Sequence, residues 1–418
     1  MVSVTAPSTE AVRASPHPGI SFAQFVALIA AMMAVNALSI DIMLPALPAI
    51  GEALDIAEPN RRQLVITAYL LGFGVSQLAY GPLADRFGRR PVLLGGLGLY
   101  VLFTLVAAFA NSFETMLAAR ALQGVGAAST RVLSVSIVRD CYSGRRMAQV
   151  MSLTFIVFLT APILAPSIGQ AIVLVAPWPW IFVALALFGT AVVLWAAARL
   201  PETMPVADRR PLSFAGVTGA FRTALTQRVA VGYMLASTLT LGALFGFINS
   251  SQQVFADALG APELFTIVFA VIAGSMGLSS YLNSRIVERL GTRRVSHAAL
   301  LGFIFFAALH AVVALSGIET LLTFAVLQSA MMFCFGLVGS NFGSMAMEPL
   351  GHIAGTASSV QGFVTTTGGA LIGFGVGQLY DGTTAPLTLG FTACGVAALI
   401  AVLITERGKL FRPSAASA

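Results

Sequence analysis

The sequence predicts an all-α membrane protein of twelve transmembrane helices in two pseudo-symmetric six-helix halves. Three observations carry this. Across 418 residues, 57% are hydrophobic and only 10% charged, against about 25% charged in soluble domains. The apolar residues fall into twelve runs long enough to cross a bilayer core at ~20 residues per crossing. A stretch in the first half recurs in the second. A mean hydropathy of +0.88 excludes a soluble enzyme, a nucleic-acid reader and a disordered chain. The isoelectric point of 9.6 then reflects a basic membrane face, not a nucleic-acid site.

Residues 1–21 are polar, rich in Ser, Thr and Pro, and do not resemble a cleaved signal. They are expected to form a cytoplasmic tail. The runs follow at 22–44, 63–83, 91–110, 115–138, 148–176 and 179–198, then at 229–255, 264–284, 295–315, 320–345, 353–379 and 385–404. They do not alternate as barrel strands would. Residues 22–199 form the first six-helix half, 200–228 a cytoplasmic linker, 229–405 the second half and 406–418 a cytoplasmic tail. With the N-terminus inside, 19 of the 23 Lys and Arg fall on the inner face. Only Arg61 and Arg62 fall outside, and Arg120 and Arg131 lie within the fourth run. Trp178 and Trp180 sit at an outer turn, where they suit interfacial anchoring. The three cysteines form no disulfide framework, and no Cys/His cluster has metal-ligand spacing.

The repeat pairs GVSQLAYGPLADRFGRRPV at 74–92 with GLSSYLNSRIVERLGTRRV, 203 residues further on. Gly88 matches Gly291, Arg86 matches Arg289, Arg90 matches Arg293, and Asp85 is answered by Glu288. Two halves related by a parallel repeat are the pattern of the major facilitator fold. Gly81-Pro-Leu-Ala-Asp85-Arg86-Phe-Gly88-Arg89-Arg90-Pro91 resembles the signature loop of that superfamily. The glycines permit a tight turn, and Asp85 is an anion at the membrane edge. The loop near 346–352 has no Lys or Arg, so the eleventh helix offers Asp85 a bare positive dipole end. That contact is expected to close the inner gate in the outward-facing state.

Charged residues within spans are costly and mark function. Asp41 is the single acid of the first helix. Asp41-Ile-Met-Leu-Pro45 resembles the first-helix signature of drug:proton antiporters, which implies proton coupling. The chain has Ile40 where that signature has Asn, and no second acid deeper in the helix. Arg120-x-x-Gln123-Gly124 resembles the fourth-helix motif of proton-coupled members, which places Arg120 in the central cavity beside that carboxylate. Arg131 is eleven residues on, three turns at 3.6 residues each and about 16 Å away on the same face. It either lines the cavity or snorkels to the inner surface. Gly124 and Gly126 read as packing contacts. Pro162, Pro166 and Gly169 partly match the fifth-helix antiporter motif and would bend that helix. Asn36, Gln77, Gln123, Asn249, Gln252, Gln328 and Asn341 are candidates to line a cavity or bridge helices, and the 249–253 polar cluster marks a helix break or an outer gate.

Together with Arg139-Asp-x-Tyr142 and Glu348-Pro-x-Gly-His-x-Ala-Gly-Thr-Ala-Ser-Ser359, these motifs resemble the bicyclomycin/chloramphenicol-resistance branch of bacterial drug:proton antiporters. The resemblance implies a multi-pass protein of the bacterial inner membrane, both termini cytoplasmic, exporting small amphipathic drugs against protons. It implies no enzyme activity and no metal. The expected partners are substrate, protons and lipid, with no nucleic acid and a monomeric state. No phosphate-binding loop is present for ATP, so no cofactor beyond the proton gradient is expected. Two Arg and one Asp in a cavity favour neutral or weakly anionic substrates. The alternative is a proton-coupled uptake symporter for a small metabolite on the same fold, which the direction of flux in proteoliposomes distinguishes.

Overall fold

The computed structural model describes residues 20–209 and 214–411. The N-terminal tail with Arg13, the linker residue Arg210 and Arg412 in the C-terminal tail lie outside the described residues. Among the described residues, twelve long helices carry the fold. The first half contains α1 (Phe22–Asp41), α3 (Leu64–Phe87), α4 (Arg89–Ala108), α5 (Phe113–Cys141), α6 (Gly144–Val175) and α7 (Pro179–Arg199). The second half contains α9 (Arg228–Gln253), α10 (Phe265–Leu290), α11 (Thr292–Leu315), α12 (Leu321–Met347), α13 (Ala354–Gln378) and α14 (Ala385–Thr405). No strand occurs among the described residues.

Ten of these helices, with their short extensions, are long and apolar enough to cross a membrane, and α6 adds an apolar stretch over Thr160–Val175. In α13, Gly, Ser and Thr replace much of the bulk, because it packs between the halves. Two short helices were not legible as spans. α2 (Leu47–Ala53) follows α1 after Pro45, and α8 (Phe214–Thr226) occupies the linker.

Several helix boundaries have a clear local cause. Ser21 caps α1 and Thr320 caps α12 in reciprocal capping boxes. Gly88 and Gly291 end α3 and α10 with φ of 98° and 83°. Side chains rarely adopt that region, so one sharp turn is built twice. The repeat in the sequence is thus a repeat in backbone conformation.

Small residues set the close approaches. A Cβ on Gly124 would overlap the Tyr69 carbonyl oxygen of α3, and one on Gly126 would overlap the α4 backbone at Tyr100. Both glycines are packing contacts. Gly124→Ala is expected to cost about 1–3 kcal/mol, read as a lower melting temperature of the purified protein. Gly95→Ala, where nothing lies within 4 Å, should leave the melting temperature unchanged. Equal effects at both sites would refute the packing account.

The halves meet along α3 with α13 and α6 with α10. α1 begins and α14 ends at one end of the bundle, and the repeated Gly turns lie there too. This Arg-rich end holds an ion web. Arg89 donates to Asp85 at 2.7 Å and to Asp140 at 3.0 Å, while Glu202 accepts from the Arg89 backbone N–H at 2.8 Å. Arg90 donates to the Ala197 carbonyl at 2.6 Å. In the second half Arg293 donates to Glu406, just past α14, at 2.9 Å and lies 3.5 Å from Glu348. Tyr233 also donates to Glu406, at 2.7 Å, and pairs with His297 Nε2 at 3.0 Å. His297 Nδ1 accepts the Phe411 backbone N–H at 3.1 Å. Partial burial pushes the Glu406 carboxyl upward, but the hydrogen bonds from Arg293 and Tyr233 outweigh it and hold it below the usual carboxylate range.

Candidate functional site: a cavity between the halves

A cavity of about 840 Å³ lies between the halves, within the size range of drug-sized ligand sites. Its first-half wall is Gln77 from α3, Arg131 to Arg139 along one face of α5, and Met147 at the start of α6. The facing wall comes from α9 (Ser237, Thr240, Leu241), α12 (Phe335 to Met347) and α13 (Gly355 to Thr365). Arg139, Met147, Met347 and Gly355 all stand near helix termini at the Arg-rich end. The cavity therefore faces that end.

The other end is sealed by uncharged amides. Gln63 Nε2 donates to Gln253 Oε1 at 2.7 Å and to the Gly377 carbonyl at 3.0 Å. Gln253 Nε2 donates to Asn60 Oδ1 at 2.8 Å, and Asn60 Nδ2 donates to the Tyr380 carbonyl at 2.8 Å. Gln378 Nε2 donates to the Asn60 carbonyl at 2.8 Å, and Tyr380 Oη to the Gln253 carbonyl at 3.0 Å. All but the last of these bonds cross between the halves; Tyr380 and Gln253 both belong to the second. Gln253 belongs to the polar cluster at the end of α9, where the α-helix gives way to one π turn over Val254–Ala258.

Arg120 does not line the cavity. It is fully buried inside the first half, beneath the sealed end. Its Nε donates to the Val65 carbonyl at 3.0 Å, Nη2 to the Ser39 carbonyl at 3.0 Å, and Nη1 to Gln123 Oε1 at 2.6 Å. Gln123 passes the chain on to Thr104 at 2.8 Å, so it also lies away from the cavity. Tyr69 stacks under the guanidinium, 4.5 Å from ring centre to Cζ. Its hydroxyl donates to Asn36 Oδ1 at 2.9 Å, which occupies Asn36 between α1 and α3. This corrects the placement of Arg120, Gln123 and Asn36 in the cavity. Arg120 sits three turns along α5 from Arg131, where the bundle has closed.

Asp41 ends α1 and is buried, and its Oδ1 has no hydrogen-bond partner. It makes no ion pair with Arg120 among the described residues. Gly169 of the fifth-helix motif packs beside it, since a Cβ there would overlap the Ile42 carbonyl oxygen. α6 runs as one helix through Pro162 and Pro166.

Three further candidates leave the cavity. Asn341 pairs with Asn283 of α10 at 2.8 Å. Asn249 faces Thr67 across the halves at 3.5 Å. Gln328 is fully buried with neither amide end bonded. Arg131, by contrast, projects its exposed side chain into the cavity. It does not snorkel past it.

In the signature loop, Asp85 is held by Arg89, and Arg86 lies 5.7 Å over the Phe87 ring. Gly81 abuts Ser359 of α13, since a Cβ there would lie 3.2 Å from its Oγ. Glu288 and Arg289 of the repeat are exposed. Sequence reasoning missed Asn60, Gln63, Gln378 and Tyr380, which stand at run edges among ordinary loop residues. It also missed Arg139 as a cavity residue, having counted it only as inner-face charge.

Two six-helix halves around a central cavity closed at one end define a polytopic transporter, not an enzyme. Residues 29–374 match the Major Facilitator Superfamily, and the chain belongs to that superfamily. It is similar to a bicyclomycin resistance protein homolog of Haemophilus influenzae, 32% identical over 87% of this chain and 91% of the relative. It is also similar to the multidrug resistance protein MdtL of Escherichia coli, 27% identical over 88% of this chain and 92% of the relative. The solved structure of the human organic anion transporter MFSD10 shares the fold, with a TM-score of 0.69 at 19% identity over 91% of this chain and 98% of that one.

Proposed function

We propose that this protein exports small amphipathic compounds from a bacterial cytoplasm across the inner membrane in exchange for protons, by alternating access. The observation that carries this is the cavity between the halves, open toward the Arg-rich end and sealed at the other by the amide cluster. With the Arg-rich end cytoplasmic, this is an inward-facing state ready to load substrate. Similarity to bicyclomycin- and multidrug-resistance proteins supports export over uptake.

Asp41 is the proposed coupling group. A buried carboxyl oxygen without a partner is costly when ionised, so an arriving proton and the surroundings of Asp41 favour each other. Its place at the end of α1, against Gly169 of α6, ties its charge to how those helices pack. In the outward-facing state water reaches it, and Asp85 leaves Arg89 for the N-terminus of α13 to close the inner end.

Everted vesicles from an efflux-deficient strain test this with a panel containing phenicols and bicyclomycin. Substrate should accumulate when an inside-acid gradient is imposed. Asp41→Asn is expected to abolish that accumulation while leaving downhill exchange measurable. Uphill transport by the variant equal to wild type would remove Asp41 from the coupling. Gradient-driven movement in the opposite direction would support the symporter.

A further inference from the structure

Arg131 is a cation inside the protein that pairs with no acid among the described residues. It stands ten residues, about 15 Å at 1.5 Å per residue, from the end of α5, and its side chain is exposed only to the cavity. Arg139 stands two turns lower on the same face, at the cavity mouth. No Asp or Glu lines the cavity. Neither Arg forms an ion pair among the described residues, and neither makes a side-chain hydrogen bond there. Arg89, Arg293 and Arg120, by contrast, are held by acids or by carbonyl and amide oxygens of the protein. Across from Arg131, the Ser237 hydroxyl of α9 is buried and also lacks a partner. The rest of the wall mixes apolar side chains, Val132, Val135, Leu241 and Phe335, with neutral polar ones such as Gln77, Thr240 and Gln361.

The cavity is open to water at its mouth, but its protein walls lower the local dielectric below that of bulk water and strengthen the hold of the guanidinium on an anion. The planar guanidinium fork suits a carboxylate. We propose that the cavity is an anion site and that its substrates are amphipathic monocarboxylates. The carboxylate sits on Arg131, the apolar body lies against Val132, Val135, Leu241 and Phe335, and Arg139 draws the anion in at the mouth. The site narrows the broad class of amphipathic compounds to those bearing one negative charge and disfavours cations. This rests on the exporter reading only for the direction of movement; the anion site itself stands on the geometry of the cavity.

The test uses the full chain in nanodiscs and two labelled probes with the same body, 1-naphthaleneacetate and its neutral amide, measured by equilibrium dialysis. The carboxylate is expected to bind at least ~10-fold tighter than the amide, the scale of a charge-assisted bidentate contact. Arg131→Gln should erase that preference with amide binding unchanged, which also shows that the variant is folded. Arg131→Lys, keeping charge without the fork, should retain part of it. Equal binding of the two probes by wild type, no binding of the carboxylate, or an undiminished preference in Arg131→Gln would each overturn the proposal. Should Arg131→Gln fail to fold, the wild-type comparison and Arg131→Lys still decide. Flux in proteoliposomes separates the two readings. Carboxylate preference in binding without proton-driven flux sustains the anion site and sinks the exporter. Proton-driven flux of neutral compounds in a protein that binds both probes alike does the reverse.

Discussion

Arg120→Ala is expected to be the most damaging single substitution in the first half, costing on the order of 3–5 kcal/mol. The guanidinium has no exposure to solvent, and its three donors hold α1 at Ser39, α3 at Val65 and α5 at Gln123. Truncation strands both carbonyls and the amide at a site removed from solvent. It also removes the cation stacked on Tyr69. Thermal unfolding of the purified variant would show a large drop in melting temperature and a poorly monodisperse protein. Arg120→Lys supplies a point charge without the fork and should recover only part of the loss. A variant as stable as wild type but uncoupled would instead restore the proton-coupling role that the motif implies.

The second large effect is conformational. Gln63→Ala combined with Gln253→Ala removes three short side-chain bonds at the sealed end and leaves Asn60 Oδ1 and the Gly377 carbonyl to find water. Each bond contributes about 0.5–1.5 kcal/mol net. The closed state should lose roughly 2–4 kcal/mol in all, enough to change the ratio of states by about 30-fold to 1,000-fold. Spin labels at exposed Glu58 and Asp257 on the two halves should shift toward longer distances. An unchanged distance distribution would mean that other packing holds this end shut. Since Asn and Gln do not titrate, the seal itself should be indifferent to pH.

The two halves, the twelve crossings and the twin turns at Gly88 and Gly291 were all legible in the sequence. They depend on hydropathy, periodicity and backbone conformation, which are local properties. The site was only partly legible. Helical spacing placed Arg120 and Arg131 on one face but said nothing of where along α5 the halves part. Three turns separate a structural cation from a cavity cation, and that distance is decided by the tilt of other helices. The polar residues divide in the same way. Asn341 is consumed by Asn283 on α10, a pairing that no spacing along one helix reveals. Gln63 is absorbed in a contact with residues nearly two hundred and more than three hundred positions away.

The junction at Glu406 bears on how the protein can be handled. Arg293, Tyr233 and His297 of the second half are all anchored by the six residues that follow α14. Those residues act as a latch on the turn built around Gly291. A fluorescent reporter or purification handle spliced directly after Thr405 would discard it and set that turn loose. One joined beyond Phe411 keeps the latch engaged. Two such fusions, identical except for this short stretch, would separate the bulk of the appended domain from the loss of the latch.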